Sequence, residues 1–160
     1  AGAYSVVTKR DIEKPEDMEA LQKLPGVEGV VTLNRLMLPQ AMHTDEDLRE
    51  AAARLQADAI LLYTVDTEFK DDSVLPPLTV LSLGILDVKR YEVNASVSAV
   101  LMDVRTGYIY GALEEGNDRT GGSFIFDGSD LSRKKAERAA FEKLLTSFDP
   151  FWRKIYTRYR

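Results

Sequence analysis

The sequence predicts an α/β (α+β) fold in which about three helices pack on a mixed β-sheet of about five strands. Three observations lead to this class. Two amphipathic helical patterns each run into a β-prone segment, a tight turn joins two further β-prone segments, and a long amphipathic helix follows them. The predicted order is β-α-β-α-β-β-β-α. A helix that feeds a strand twice indicates a sheet with some parallel neighbours.

Length and composition predict a single domain over residues 1–160. The chain has 160 residues, of which 44% are hydrophobic and 29% charged, so it can bury a sizeable core. The core is expected over residues 4–148, and residues 149–160 form a basic, aromatic C-terminal segment. The chain has no cysteine, which excludes disulfides, thiolate nucleophiles and thiolate metal sites.

The first half of the sequence alternates strand and helix signals. Residues 4–8 are β-prone, and Pro15 suits the first position of a helix. Residues 27–37 are rich in β-branched and apolar side chains and predict a second strand. Thr44 is expected to cap the next helix, with Asp47 as its capping partner. The apolar stripe of that helix has helical spacing and consists of Leu48, Ala51, Ala52 and Leu55.

The second half predicts a hairpin and a terminal helix. Residues 59–65 form a continuous apolar run, which is typical of a central strand covered on both faces. Residues 91–104 begin with apolar–polar alternation, and the turn Asp103-Val-Arg-Thr-Gly107 leads to a return strand over residues 108–115. Pro150 is expected to interrupt the last helix. Its predicted buried face consists of Ala136, Ala140, Phe141, Leu144, Leu145 and Phe148.

No catalytic, cofactor or metal constellation is recognisable, and the chain is predicted not to be an enzyme. His43 stands alone beside a helix start, where the neighbouring acidic residues are explained by the helix dipole. The pairs Asp71-Asp72 and Glu114-Glu115 would point to opposite faces of a strand, so neither is a glycosidase pair. Phosphate-binding and dinucleotide-binding glycine motifs are absent from the sequence.

Charge is distributed unevenly along the chain. The net charge is −5, but residues 133–160 carry +6 and the remainder carries −11. The basic end also contains Trp152, Tyr156 and Tyr159, a mixture that suits docking on the domain, a membrane interface or nucleic acid. The acidity of the rest of the chain argues against nucleic acid. A solvated helix face and a contact with anionic lipid or an acidic partner both stay open.

The segment Val74–Leu86 is unusually apolar for a connection between two strands. Pro76-Pro77 cannot lie in a helix interior or a central strand, and the residues that follow are apolar on both faces. The segment is either a core strand after a bend or an exposed arm for oligomerisation or membrane contact. The candidate contact residues are Leu75, Leu78, Val80, Leu83 and Leu86, together with Trp152, Tyr156 and Tyr159.

Two stretches resemble a group of bacterial envelope lipoproteins. Residues 48–62 resemble the helix-to-strand element of that group, and residues 95–110 resemble its strand–hairpin–strand with an Asp-x-x-Thr-Gly turn. The group includes the curli-secretion lipoprotein, the lipoprotein activator of penicillin-binding proteins and the amino-terminal domain of the Tol-system propeller protein. The run Pro77-Leu-Thr-Val-Leu-Ser-Leu-Gly84 is also similar to rhombotarget-type lipoproteins.

The resemblance implies a periplasmic domain that is anchored to the outer membrane in the full-length protein. The start Ala1-Gly-Ala3 does not look like a native initiator, so a targeting segment with its lipid anchor is expected to have been removed. The expected function is non-enzymatic contact with an envelope protein or self-association. The alternative is a small-molecule or nucleotide-binding module that uses the glycine-rich loop 116–128, where a turn over Thr120–Ser123 would offer backbone amides.

Overall fold

The computed structural model describes residues 12–39, 42, 44–71, 89–117, 120–124 and 129–159. These residues form three α-helices and four β-strands. The helices are α1 (Pro15–Gln22), α2 (Asp45–Arg54) and α3 (Ser129–Tyr159), and a 3-10 turn covers Arg35–Met37. The strands are β1 (Ala59–Asp71), β2 (Lys89–Asp103), β3 (Ile109–Gly116) and β4 (Thr120–Phe124).

Strand β2 lies at the centre of the described sheet. It pairs with β1 on one side and with β3 on the other, and it also pairs antiparallel with β4, where Val93 lies opposite Thr120. The α/β class and the three helices are confirmed. The sheet of the described residues has four strands, fewer than the predicted five, and it is antiparallel rather than mixed. The strands β1, β2 and β3 are neighbours in chain order and β4 returns antiparallel to β2, so no described helix connects two parallel strands of this sheet.

Residues 27–37 do not form the predicted strand. Their backbone is irregular and ends in the 3-10 turn. Val31 is exposed, whereas Leu33 packs on a cluster of buried side chains from α2 and β2. The apolar composition of this segment therefore serves side-chain packing rather than strand pairing. The predicted strand over residues 4–8 and the apolar segment Val74–Leu86 lie outside the described residues.

Helix α3 continues through Pro150, so the predicted interruption is wrong. Phe148 precedes the proline, and Phe151 and Trp152 follow it, yet all three pack in the same apolar cluster. Contacts on both sides of Pro150 therefore offset the loss of one backbone hydrogen bond, which alone would favour a break.

The chain divides into two compact units, and strands β1 and β2 and helix α3 each contribute to both. The first comprises Ala1–Thr64, Ser98–Leu113 and Leu145–Arg160. Its main apolar cluster is centred on Leu24, Leu101 and Phe148. The indole N–H of Trp152 donates to the carbonyl oxygen of Pro25 at 2.9 Å, which ties α3 to the end of α1. Burial of the large apolar side chains in this cluster is worth about 1.5–3 kcal/mol each.

The second unit comprises Val65–Val97 and Glu114–Leu144. The predicted alternation of β2 is confirmed, because Val93 and Val97 are fully buried. The unit also buries Glu137, whose exposed fraction is only 2%. Arg133 donates to its carboxylate at 3.0 and 3.2 Å, and the Thr67 hydroxyl donates at 2.9 Å. This buried polar group has its partners, as interior carboxylates require, but the helical pattern did not predict it.

Residues 120–124 form strand β4 rather than part of the predicted glycine-rich loop. Their backbone pairs with residues 89–93 of β2. Just before β4, the side chain of Asn117 accepts a hydrogen bond from the Ala95 N–H at 2.6 Å and donates to the Val93 carbonyl at 3.3 Å. The side-chain amide of Asn117 thus bonds to the backbone of β2 at the point where β3 ends. Pairing with β2 outweighs the weak strand propensity of two glycines.

Candidate functional site: the hairpin and a tyrosine surface

The turn between β2 and β3 is fixed by Asp103. Its Oδ1 accepts hydrogen bonds from the Thr106 N–H at 2.8 Å and from the Thr106 hydroxyl at 2.7 Å. Its Oδ2 accepts a hydrogen bond from the Tyr110 hydroxyl at 3.1 Å. Gly107 closes the turn with a φ of +72°, a conformation that glycine adopts without steric cost. The predicted Asp-x-x-Thr-Gly turn is confirmed, and it orients the first tyrosines of β3.

Helix α2 supports the same turn through Arg49. The Nη1 of Arg49 donates to the carbonyl oxygens of Val104 at 3.4 Å and Arg105 at 3.2 Å. Its Nε donates to Asp45 at 3.0 Å within the helix. The predicted start of α2 is also confirmed, since the side chain of Asp47 accepts from the Thr44 N–H at 3.5 Å as in a capping box.

Hydrogen bonds from Thr106 and Tyr110 hold the pKa of Asp103 below its ordinary value of 3.8. A lowered pKa in the folded state means that the ionised carboxylate stabilises the fold above the unfolded pKa. This stability is lost as the pH falls from about 4 through the folded pKa. We therefore expect Asp103→Asn to be less stable than the parent at pH 7, with the difference shrinking below pH 4. Urea unfolding at several pH values measures both quantities, and a constant difference between pH 7 and pH 2 would contradict the assignment.

Three tyrosines pack edge to face: Tyr108 just before β3, Tyr110 in β3 and Tyr159 at the end of α3. The ring centroids are 5.4 Å apart for Tyr108 and Tyr110, 5.2 Å for Tyr110 and Tyr159, and 6.1 Å for Tyr108 and Tyr159. The hydroxyls of Tyr108 and Tyr159 share a hydrogen bond of 3.0 Å. Such edge-to-face contacts stabilise a pair by about 0.5–1.5 kcal/mol beyond the buried area, so the rings are held in fixed positions.

Tyr108 and Tyr159 are exposed and Tyr110 is half-buried, and an exposed apolar residue and two arginines lie near them in the chain. The exposed fractions are 52% for Tyr108, 56% for Ile109 and 48% for Tyr159. The guanidinium of Arg158 lies 5.5 Å from the Tyr159 ring centroid, and Arg105 is exposed on the adjacent turn. We call Tyr108, Tyr110 and Tyr159, with Arg105 and Arg158, the tyrosine surface; Ile109 is an exposed neighbour between Tyr108 and Tyr110 in the chain.

The pKa values of Tyr108 and Tyr110 are raised above the ordinary value of 10, so these two hydroxyls stay neutral at physiological pH. The hydrogen bond with Tyr159 raises the pKa of Tyr108, while the positive charge of Arg158 opposes this effect. Partial burial, followed by the hydrogen bond to Asp103, raises the pKa of Tyr110, and Arg105 opposes that rise. The surface therefore offers neutral aromatic rings and two positive charges.

The predicted contact residues of the basic end have different fates. Trp152 is half-buried in the core, and Tyr156 is half-buried with its ring directly against Gly26. Tyr159 alone of these three is exposed. The five predicted leucine and valine contacts between residues 75 and 86 lie outside the described residues. Tyr108 and Ile109 were not predicted, although the signal was present in the Tyr-Ile-Tyr run that follows the turn.

The other candidate sites gain little from the structure. Glu114 is exposed and Glu115 is half-buried, as expected for neighbours on opposite faces of β3. His43 lies outside the described residues. A shallow depression of about 300 Å³ beside α2 has a charged rim in which Glu50 and Arg54 pair at 2.6 Å. Its lining residues are Met37, Leu38, Pro39, Asp47, Glu50, Ala51 and Arg54.

No protein-family model, curated protein or solved structure matches this chain. Among the described residues, no group of three or more His, Cys, Asp or Glu side chains is placed to hold a metal ion. In the same part of the chain, no helix has both the length and the apolarity needed to cross a membrane.

Proposed function

We propose that this chain is a non-enzymatic contact domain of the bacterial cell envelope that binds an envelope protein through the tyrosine surface. In the full-length protein it is periplasmic and held at the outer membrane by a lipid anchor. The location is supported by the resemblance of residues 48–62 and 95–110 to envelope lipoproteins. The single observation that carries the contact function is the exposed, mutually packed cluster of tyrosines with its flanking arginines.

The composition of the tyrosine surface is typical of residues that dominate protein interfaces. Tyrosine and arginine are enriched among interface residues with large binding contributions. The rings of Tyr108, Tyr110 and Tyr159 are already packed on one another, so a partner would not have to order them. Their hydroxyls already have hydrogen-bond partners within the surface, which lowers the cost of covering them. Ile109 adds an exposed apolar side chain.

The ligand-binding alternative has less support from the described residues. A turn over Thr120–Ser123 would have offered its amides to an anion, but this segment belongs to β4 and pairs with β2. The contact function also covers self-association, in which the partner is a second copy of the chain. A complex with another envelope protein and a complex of two copies of this chain differ in mass, so one cross-linking experiment distinguishes them.

In-cell photo-cross-linking at Ile109 tests the proposed function. A photoreactive phenylalanine analogue replaces Ile109 in the full-length protein, expressed in the bacterium that produces it. We expect one discrete adduct. It contains an envelope protein if the partner is another protein, and it has twice the mass of the chain if the chain self-associates. The matched control carries the analogue at Ala53, an exposed position of α2. A chain that carries the analogue at position 109 together with Tyr159→Ala should form no adduct. No adduct at Ile109, or the same adduct from Ala53, would overturn the proposal.

A further inference from the structure

We propose that the tyrosine surface recognises an acidic segment of its protein partner, with apolar side chains on the rings and carboxylates on Arg105 and Arg158. This inference rests on the proposed function and specifies the chemistry of the partner. The occupant is a short peptide segment that combines Asp or Glu with an aromatic or aliphatic residue.

The tyrosine surface carries two exposed guanidiniums, whereas the carboxylates near it are engaged in contacts within the domain. Arg105 and Arg158 are both exposed, and each acts electrostatically on a tyrosine of the cluster, Arg105 on Tyr110 and Arg158 on Tyr108. The carboxylate of Asp103 is already occupied by Thr106 and Tyr110. Another nearby carboxylate, that of Asp45, is paired with Arg49. The two exposed guanidiniums are therefore the groups best placed to meet carboxylates of a partner.

The guanidiniums are also placed for specificity. Arg158 lies over the ring of Tyr159, an arrangement that restricts a long side chain before binding. The backbone of Arg105 is held by Arg49, which donates to its carbonyl oxygen. The guanidinium of Arg158 is thus restricted before binding, and the backbone that carries Arg105 is held in place. A planar guanidinium can donate two parallel hydrogen bonds to one carboxylate. A side chain that is already restricted loses less conformational freedom when it forms them.

A short acidic segment fits these charges better than an anionic membrane does. Outside residues 133–160 the chain carries a charge of −11, and its net charge is −5. A broad anionic bilayer would face that excess, whereas a short segment would contact only the two exposed guanidiniums. Tyrosine and isoleucine suit either occupant, so the charge distribution decides between them.

Peptide display tests the inference. A library of random peptides on phage is selected on the immobilised chain and counter-selected on Arg105→Glu/Arg158→Glu. We expect the selected peptides to be enriched in Asp and Glu next to aromatic or aliphatic residues. A labelled synthetic copy of one such peptide should lose at least about tenfold in affinity to Arg105→Glu/Arg158→Glu and to Tyr159→Ala. Raising the salt from about 0.05 to 0.5 M should weaken binding several-fold.

The matched control is Arg54→Glu, which reverses a charge on the exposed face of α2 in the same unit. It should keep the parent's affinity within about twofold. The inference is overturned if no peptide is enriched, if the selected peptides lack acidic residues, or if they bind the double arginine variant equally well. Binding to phosphatidylglycerol vesicles without peptide enrichment would also overturn it, in favour of a lipid surface. A cross-link from Ile109 to a non-acidic partner segment would refute the inference alone and leave the proposed function standing.

Discussion

Replacing Gly26 by alanine is expected to lower the free energy of unfolding by about 2–5 kcal/mol. Gly26 has a φ of +76°, and a Cβ atom there would lie 2.2 Å from Cε2 of Tyr156. A left-handed backbone costs an L-residue about 1–2 kcal/mol, and overpacking adds about 1–3 kcal/mol. Pro25 and Gly26 occupy the central positions of a turn in which the Val27 N–H donates to the Leu24 carbonyl at 3.2 Å. The chain therefore has little freedom to move the new methyl away.

Two further variants separate the backbone cost from the clash. Gly29→Ala is the matched control, because a Cβ at Gly29 would meet no atom within 4 Å. It should change stability by less than about 1 kcal/mol. In a Tyr156→Ala background, Gly26→Ala should cost only the left-handed backbone penalty. Urea unfolding of the parent, the three single variants and the Gly26→Ala/Tyr156→Ala double variant measures these differences in the free energy of unfolding. An equal loss from Gly26→Ala with and without the Tyr156 ring would show that the clash contributes nothing.

Phe148→Ala is expected to cost about 3–5 kcal/mol, the typical range for a large aromatic side chain lost from a core. Phe148 is 4% exposed and packs with Leu24 and Leu101 at the centre of the first unit. Its ring also lies 5.8 Å from that of Phe151 and 6.2 Å from that of Trp152. The cavity would therefore open beside Pro150, where helix α3 depends on tertiary contacts.

Calorimetry and urea unfolding measure this loss, and circular dichroism reports whether α3 shortens. Leu36→Ala serves as the control, because Leu36 is 92% exposed and its truncation should change stability by less than about 0.5 kcal/mol. A loss below about 1.5 kcal/mol for Phe148→Ala would mean that the surrounding side chains collapse into the space. It would also mean that Phe148 is not central to this core.

The features that the sequence predicted correctly depend on residues close together in the chain. The capping partner of α2 is three residues from Thr44, and the turn of Asp103 closes with Thr106 and Gly107. The alternating face of β2 is likewise a local pattern with period two. These interactions have nearly the same geometry in any fold, so residue type and spacing suffice to predict them.

Segments whose structure depends on distant partners were predicted less well. Residues 27–37 have strand-like composition, but Leu33 packs on side chains of α2 and β2 and the segment does not join a ladder. Residues 120–124 have turn-like composition, but they pair with β2. In both cases intrinsic preference is small compared with the free energy of packing or pairing, which no local window contains.

Residue type and spacing were enough to predict the helix starts, the hairpin turn and the buried face of β2, and they show no recognisable catalytic motif. The packed fold was needed to show that α3 continues through Pro150 and brings Tyr159 onto Tyr108, 51 residues away. Only the tertiary structure also placed Arg105 and Arg158 beside the same tyrosine cluster. The physical reason is that short-range hydrogen bonds and φ preferences are encoded locally, whereas a surface built from two elements exists only after both have packed on one core.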